Sequence, residues 1–262
     1  MKYGVSVLSI IPCRGEPADQ AEQTTQLLFG EHYKVLEERK KFVRIRNAFD
    51  GYESWICRKQ HSEIHQDEYN RLNDYHMCCS TLDLLGILTC TDDDSIMTLP
   101  LGATLPGIKD GMMELAGKTY EYSGDIIPKP GKDKVKLVEH ALMYENAPYL
   151  WGGRSPFGID CSGYTQMIYK LNGIKLPRDA SEQAKIGTTL SFVEEGEPGD
   201  LAFFDNDEGL ITHVGILLED NYIIHASGKV RIDRIDHQGI YDEKTRGYTH
   251  SLRIIKRIYP HK

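Results

Sequence analysis

The stretch Asp160-Cys161-Ser162-Gly163 opens a predicted helix and decides the fold of the C-terminal part of this chain. It follows a glycine-rich, aromatic approach, residues 148–159, with the sequence PYLWGGRSPFGI. After the cysteine, apolar or aromatic residues recur with helical spacing at Tyr164, Ile168 and Leu171. A thiol on the first helical turn lies beside unpaired backbone N–H groups and the positive end of the helix dipole. Both favour the thiolate, so Cys161 is a candidate nucleophile, and the alternative is a buried structural cysteine.

Two histidines downstream lie on predicted neighbouring strands. His213 falls in a strand over residues 211–218 and His225 in a strand over residues 222–226. If the loop between them has an odd number of residues, both rings lie on one face, opposite each other or one diagonal step apart. His213 is then the base for Cys161, and His225 holds His213 in its tautomer. The alternative for His225 is an ordinary half-buried strand residue.

The blocks that contain these residues resemble the three motifs of NlpC-type papain-like cell-wall cysteine peptidases. The blocks are Tyr149 to Gly163, His213 to Ile216 and His225 to Ser227, in the same order and with similar spacing. The resemblance implies that Cys161 is the nucleophile, His213 the general base and His225 its orienting residue. It also implies that Tyr149 helps the Cys161 N–H to stabilise the oxyanion.

The same resemblance implies a reaction and a set of substrate contacts. We expect a cysteine endopeptidase that hydrolyses the γ-D-glutamyl–diamino acid bond of peptidoglycan stem peptides, L-Ala-γ-D-Glu-diamino acid. Asp160 and Ser162 are expected to bind the substrate backbone, and Arg178 and Asp179 to line the site, with a surface cap as the alternative. Ala180 stands where family members often have serine. Two other classes remain open: a thiol-dependent amidase or acyltransferase on a papain-like core, and a non-catalytic cell-wall binding protein.

The N-terminal part resembles bacterial SH3-like modules. Short predicted strands at residues 5–11, 26–29, 33–36, 42–45 and 54–57 alternate with turns, as in a small β-barrel. The predicted fold is α+β, a papain-like catalytic domain with helices packed on an antiparallel sheet, preceded by one or two small SH3-like β-barrels. Its parts are an SH3-like barrel (1–60), a linker that is partly helical (61–80), a second, degenerate SH3-like barrel (81–130) and the peptidase domain (131–262).

The first module is also expected to contribute to specificity. Members of the subfamily on the reducing side of the membrane recycle muropeptides whose N-terminal L-alanine amine is free. A buried ammonium needs a charge partner, and Glu16 and Tyr52 lie on turns that can project into a groove. We therefore expect Glu16 and Tyr52 to bind the amine, with Glu22 as the alternative acid and plain surface positions as the alternative interpretation.

Composition narrows the partners and the compartment. The 262 residues carry 31 lysines and arginines against 39 aspartates and glutamates, a net charge of −8, so neither nucleic acid nor a membrane is an expected partner. The six cysteines lack a repeated spacing, adjacent Cys78 and Cys79 are too strained to pair, and the residues around Lys2 do not form a signal peptide. We expect a reducing, cytoplasmic compartment. No metal or organic cofactor is implied.

One further helix is predicted at the start of the peptidase domain. Val135, Val138 and Leu142 recur at helical spacing within residues 133–146, and Ala141 fills the same face. The pattern predicts an amphipathic helix that buries this face.

Overall fold

The computed structural model describes residues 1–75, 79–128, 131 and 133–259. The chain divides into two compact units, each built mainly from antiparallel strands. Unit 1 comprises residues 1–131 and 151–156, and unit 2 comprises residues 132–150 and 157–262. Part of the glycine-rich approach to Cys161 therefore belongs to unit 1. Among the described helices, none has the length and apolar character needed to cross a membrane.

The described residues of unit 1 form one α-helix among short strands. Its elements are β1 (Lys2–Val5), β2 (Ile10–Arg14), β3 (Gln23–Leu28), β4 (His32–Glu38), β5 (Phe42–Asn47), β6 (Glu53–Cys57), β7 (Ser62–Ile64), α1 (Gln66–Tyr75), β8 (Ser80–Thr81), β9 (Leu85–Cys90), β10 (Ile96–Pro100), β11 (Met112–Leu115), β12 (Lys118–Ser123), β13 (Ile126–Ile127) and β14 (Arg154–Ser155). One sheet has the order β3-β2-β6-β5-β4-β1-β7, a second has the order β10-β9-β12-β11, and β13 pairs with β8.

The first predicted strand, residues 5–11, is wrong as a single element. The chain leaves β1 after Val5 and enters β2 at Ile10. Ser6 explains the break, because its N–H donates to the Glu31 carbonyl and its hydroxyl donates to the Leu8 carbonyl. These bonds flank a bend at residues 8 and 9, which the strand-like pattern of residues 5–11 did not reveal.

The predicted linker, residues 61–80, is largely regular structure in its described part. β7 pairs with β1, and α1 buries Tyr69 and Leu72 in a hydrophobic cluster that also contains residues of both sheets. The Tyr3 and Tyr69 rings lie 4.3 Å apart. The segment looked like a linker because the remaining face of α1 is charged. Residues 76–78 lie outside the described residues, so the expectation for Cys78 has no counterpart in the structure.

Unit 1 also holds the segment Trp151–Pro156 through a buried ion pair. The Arg154 side chain is fully buried, and its guanidinium donates to both Glu31 carboxylate oxygens at 2.7 and 2.9 Å. It also donates to the Gln26 carbonyl at 2.7 Å. Gly152 adopts a φ of +73°, and a Cβ there would lie 2.4 Å from the Gln23 carbonyl oxygen. Only glycine allows this approach of the two backbones.

Unit 2 packs helices beside a large antiparallel sheet. Its elements are α2 (Lys134–Met143), β15 (Gly158–Ile159), α3 (Cys161–Leu171), α4 (Ala180–Gln183), β16 (Thr188–Leu190), β17 (Leu201–Asp205), β18 (Ile211–Leu217), β19 (Tyr222–Ser227), β20 (Lys229–Ile235), β21 (Gly239–Asp242) and β22 (Gly247–Arg257). The sheet order is β16-β22-β17-β18-β19-β20-β21, and β21 also pairs with the long strand β22. The strands from β17 to β22 therefore close on themselves.

The predicted helix at residues 133–146 forms, but of the predicted face only Ala141 is fully buried. Val135 and Leu142 are exposed, whereas Leu137, His140 and Ala141 are buried. His140 is the reason, because its Nδ1 accepts a hydrogen bond from the Asn172 side-chain amide at 3.1 Å. A buried polar residue whose hydrogen bonds are made inside the protein does not follow the apolar pattern from which the buried face of a helix is predicted.

Candidate active site

Cys161 begins α3, and Asp160 caps that helix. The Asp160 Oδ1 accepts the Gly163 N–H at 2.7 Å, which satisfies one of the free donors of the first turn. Every residue of α3 is buried, so the helix and its first residue are held firmly in unit 2. The predicted position of the thiol at a helix start is confirmed.

The expectation that the helix start favours the Cys161 thiolate is wrong, because the pKa of the buried thiol is raised and the thiol keeps its proton until a base removes it. Burial raises its pKa to about 12, and the Asp160 carboxylate adds to this rise. The backbone N–H of Val214 acts in the opposite direction, as does that of Ser162. The sulfur therefore lies beside β18, next to the residue that follows His213. A thiol in this environment needs a neighbouring base to become a nucleophile.

His213 and His225 meet on one face of the β18–β19 hairpin, as predicted. Gly215 pairs with His225, which places His213 one diagonal step away. The His213 Nε2 and the His225 Nδ1 lie 2.8 Å apart. A Cβ at position 215 would lie 2.9 Å from the His225 Cβ, so glycine makes room for this ring. Burial, and then the charges of His225 and His250, lower the pKa of His213, which favours the neutral imidazole that a base requires.

An acidic residue that the sequence analysis missed continues this chain of hydrogen bonds. The Asp233 Oδ2 lies 2.9 Å from the His225 Nε2, and its Oδ1 accepts a bond from Arg231 at 2.6 Å. Burial of Asp233 opposes its ionisation, but the hydrogen bonds from His225 and Arg231 leave its pKa below the usual value. The sequence could have indicated Asp233, because β20 follows β19 directly. In this hairpin Asp233 pairs with Ile223, two residues before His225.

A third histidine, His250 on β22, also escaped the sequence analysis. Its ring stacks on the His213 ring with centroids 4.2 Å apart and an interplanar angle of 27°. It meets the His225 ring edge-on at 5.7 Å. Burial and the charge of His225 lower the pKa of His250 to about 4. No local motif marks His250, since the closure of β22 onto β17 and β21 alone brings it here.

This low pKa predicts an acid-sensitive fold. In the unfolded chain, a histidine titrates near about 6.5, so between about pH 6.5 and 4 the unfolded chain binds a proton that folded His250 does not. Stability therefore falls as the pH decreases through this range. We expect His250→Gln to lose less stability than the wild type between about pH 7 and pH 5 in chemical denaturation. Exposed His237→Gln is the control and should follow the wild type; equal losses in His250→Gln and wild type would refute the prediction.

Tyr149, the predicted oxyanion donor, is half-buried in the segment before β15. Its backbone N–H donates to the Gly228 carbonyl at 3.0 Å, which anchors the residue before β15. Burial raises the pKa of its phenol to about 12, and Cys161 is the next contributor to this rise. Tyr149 therefore keeps its proton at neutral pH and interacts electrostatically with Cys161, as an oxyanion donor would.

Arg178, predicted to line the site, bonds to Asp160 and Ser162, the two residues predicted to bind the substrate backbone. The Arg178 guanidinium donates to the two Asp160 carboxylate oxygens at 3.1 and 2.5 Å and to the Ser162 hydroxyl at 2.9 Å. Asp160 and Arg178 are buried, whereas Asp179 is exposed at the start of α4. Their expected contacts with substrate stay predictions.

The three candidates in the first module lie in unit 1. Glu16 and Glu22 are exposed, and Tyr52 is half-buried with its N–H on the Asp50 carboxylate at 3.0 Å. The Glu22 carboxylate accepts the Trp151 indole N–H at 2.5 Å. Their expected role at the substrate amine stays a prediction.

Two family models match the chain. Residues 146–249 match the NlpC/P60 family, and residues 13–60 match the bacterial dipeptidyl-peptidase Sh3 domain. The first match contains Cys161, His213 and His225. The second covers most of the strands of the first sheet.

Similar proteins extend over most of the chain. A gamma-D-glutamyl-L-lysine dipeptidyl-peptidase from Bacillus cereus is 28% identical over 247 residues, which cover 84% of this chain and 72% of that protein. Dipeptidyl-peptidase 6 from Lysinibacillus sphaericus is 28% identical over 253 residues, covering 85% and 88%. The crystal structure of an NlpC/P60 family protein from Bacillus cereus superposes with a TM-score of 0.83 at 21% identity, covering 99% of this chain and 100% of that one. That likeness shows a shared fold.

Proposed function

Because this chain combines an NlpC/P60 domain with a bacterial SH3 domain, we propose that it is a cysteine peptidase that cleaves the γ-D-glutamyl–diamino acid bond of peptidoglycan stem peptides. NlpC/P60 peptidases are cysteine hydrolases of peptidoglycan. The finer specificity is our proposal, and its support is the similarity to the gamma-D-glutamyl-L-lysine dipeptidyl-peptidase of Bacillus cereus over most of this chain.

One observation carries the proposal: a buried thiol at a helix start lies beside a hairpin whose two imidazoles are hydrogen-bonded to each other. Cys161 lies at the first turn of α3, and its sulfur receives the N–H of Val214, the neighbour of His213. His213 is in turn bonded to His225 at 2.8 Å. Nucleophile, base and orienting residue in this order constitute the arrangement of a papain-like triad.

The arrangement supports a two-step hydrolysis. His213 accepts the Cys161 proton, and the thiolate attacks the γ-carbonyl carbon of D-glutamate. The Cys161 N–H and the Tyr149 hydroxyl stabilise the resulting oxyanion. The imidazolium donates its proton to the departing amine of the diamino acid, which leaves a thioester. Water then attacks the thioester with His213 as base and releases L-Ala-D-Glu and the free thiol.

Mass spectrometry of the products tests this reaction. With L-Ala-γ-D-Glu-L-Lys or its diaminopimelate analogue in ¹⁸O-labelled water, we expect the dipeptide L-Ala-D-Glu to carry one labelled oxygen. A dipeptide transferred to an added amine, without label, would instead identify the acyltransferase alternative. Binding of both peptides without any product would identify a non-catalytic binding protein.

We further propose that the substrate has a free N-terminal L-alanine, as expected for murein peptide recycling, with Glu16 and Tyr52 as ligands of its ammonium. An N-acetylated peptide lacks this charge and is bulkier, so we expect kcat/KM for the free-amine tripeptide to exceed that for its N-acetyl copy by about tenfold or more. Tyr52→Ala should lower the ratio of kcat/KM for the free-amine peptide to kcat/KM for the N-acetyl peptide. Tyr52→Phe keeps the ring, so a comparison of the two variants distinguishes the effect of the hydroxyl from that of the ring. Equal kcat/KM values for the two peptides in the wild type would overturn this proposal.

A further inference from the structure

The hydrogen bonds that join His213, His225 and Asp233 define which ring nitrogens of the two histidines carry a hydrogen. An ionised carboxylate can only accept hydrogen bonds, and the His225 and Arg231 bonds hold the pKa of Asp233 below its usual value. The His225 Nε2, 2.9 Å from the Asp233 Oδ2, therefore carries a hydrogen. The His225 Nδ1 is then a lone pair, and the His213 Nε2, 2.8 Å away, must carry the next hydrogen. The His213 Nδ1 is left as the free lone pair.

That lone pair is the one that a base needs in order to take the thiol proton. The Asp233 carboxylate thus determines the tautomer of His213 through two successive hydrogen bonds, although it does not contact His213 itself. Without the carboxylate, the pair His213–His225 can form the same hydrogen bond in the opposite sense. His225 then donates from Nδ1, His213 accepts at Nε2, and the His213 Nδ1 carries a hydrogen and cannot act as a base.

We propose that Asp233 is a positioning residue that selects the catalytically competent tautomers of both His225 and His213. The inference rests on the proposed function, since it assigns His213 the role of base. Asp233 is well suited to this task because its side chain is only 9% exposed and water competes little for its oxygens.

Arg231 determines which Asp233 oxygen bonds to His225. Its guanidinium donates to the Asp233 Oδ1 at 2.6 Å, while the other nitrogen lies 3.3 Å from the Asp242 carboxylate. One Asp233 oxygen is therefore reserved for Arg231 and the other for His225. An amide at position 233 would turn its oxygen toward Arg231 and its NH₂ toward His225. Asp233→Asn is accordingly expected to impose the wrong tautomer rather than merely to weaken a bond.

The first test compares kcat and KM of wild type and Asp233→Asn on the free-amine tripeptide. In a serine triad, the wrong tautomer lowers kcat by about 10⁴-fold; here we expect kcat to fall by at least about 10²-fold with little change in KM. Asp236→Asn, an equally conservative change in the same part of the sheet whose carboxylate bonds Tyr248 instead, is the matched control and should keep wild-type kcat. A kcat of Asp233→Asn within about threefold of wild type would overturn the proposal.

A rescue experiment separates tautomer selection from a merely structural role. Arg231→Met removes the donor that orients the amide, so in the double variant with Asp233→Asn the amide can flip and present its oxygen to His225. We expect kcat of the double variant to exceed that of Asp233→Asn by about tenfold. A simple structural role predicts the reverse, because removing both partners would lower kcat further.

Two readouts do not depend on the substrate. The alkylation rate of Cys161 by iodoacetamide near neutral pH, followed on its own peptide by mass spectrometry, should fall about tenfold in Asp233→Asn because less thiolate forms. In the wild type, ¹⁵N shifts of the imidazoles should show Nε2–H tautomers at His213 and His225, which requires no variant to fold. An Nδ1–H tautomer at either residue would overturn the proposal. If the wild type cleaves no stem peptide but gives these shifts, the proposed function fails and the role of Asp233 stands.

Discussion

Replacing Cys161 with alanine is expected to abolish peptide hydrolysis, with kcat below about one ten-thousandth of wild type. No other group can form the thioester, and loss of a nucleophile in a catalytic triad leaves only the rate enhancement due to binding and oxyanion stabilisation. The fold should persist, because alanine is a strong helix former and the change removes one sulfur at the first turn of α3. The measurements are single-turnover kinetics and the thermal midpoint.

Cys57→Ala is the control for this experiment, because Cys57 is a free, half-buried thiol in unit 1. It should keep the full rate of hydrolysis. Residual hydrolysis by Cys161→Ala above a few hundredths of the wild-type rate would mean that another residue attacks the peptide. A much lower midpoint of thermal unfolding in Cys161→Ala than in the wild type would show instead that the thiol is structural.

Replacing Asp160 with alanine is expected to lower the free energy of unfolding of unit 2 by about 3–5 kcal/mol. The change removes the carboxylate that pairs with buried Arg178, and an uncompensated buried charge is strongly destabilising. It also removes the acceptor of the Gly163 N–H at the start of α3. Chemical denaturation followed by circular dichroism would measure the loss.

Asp179→Ala provides the comparison, since Asp179 follows Arg178 directly but is exposed. We expect a change below about 1 kcal/mol. If Asp160→Ala were as stable as Asp179→Ala and only KM increased, the Asp160 carboxylate would serve the substrate backbone rather than the helix start. That outcome would favour the contact that the family resemblance implies.

The parts of the site that the sequence predicted are those specified by local pattern. Cys161 at a helix start followed from helical spacing, and the meeting of His213 and His225 followed from the two-residue period of a hairpin. Asp233 required a further strand register, and His250 arrives only through the closure of β22. The buried face of α2 was misjudged because His140 accepts a hydrogen bond from Asn172, which follows the last residue of α3. Tertiary hydrogen bonds of this kind leave no periodic trace in a sequence.

The Arg154–Glu31 ion pair restricts how this protein can have evolved. Modular chains commonly gain, lose or exchange a domain by recombination at an exposed linker. Here, a break after residue 131 separates Glu31 from Arg154, which follows later in the chain yet lies buried in unit 1. A recombinant that kept Arg154 without a carboxylate would lose about 3–5 kcal/mol wherever that guanidinium stayed buried. We therefore expect a replacement module either to supply its own carboxylate to Arg154 or to be accompanied by a new residue at position 154.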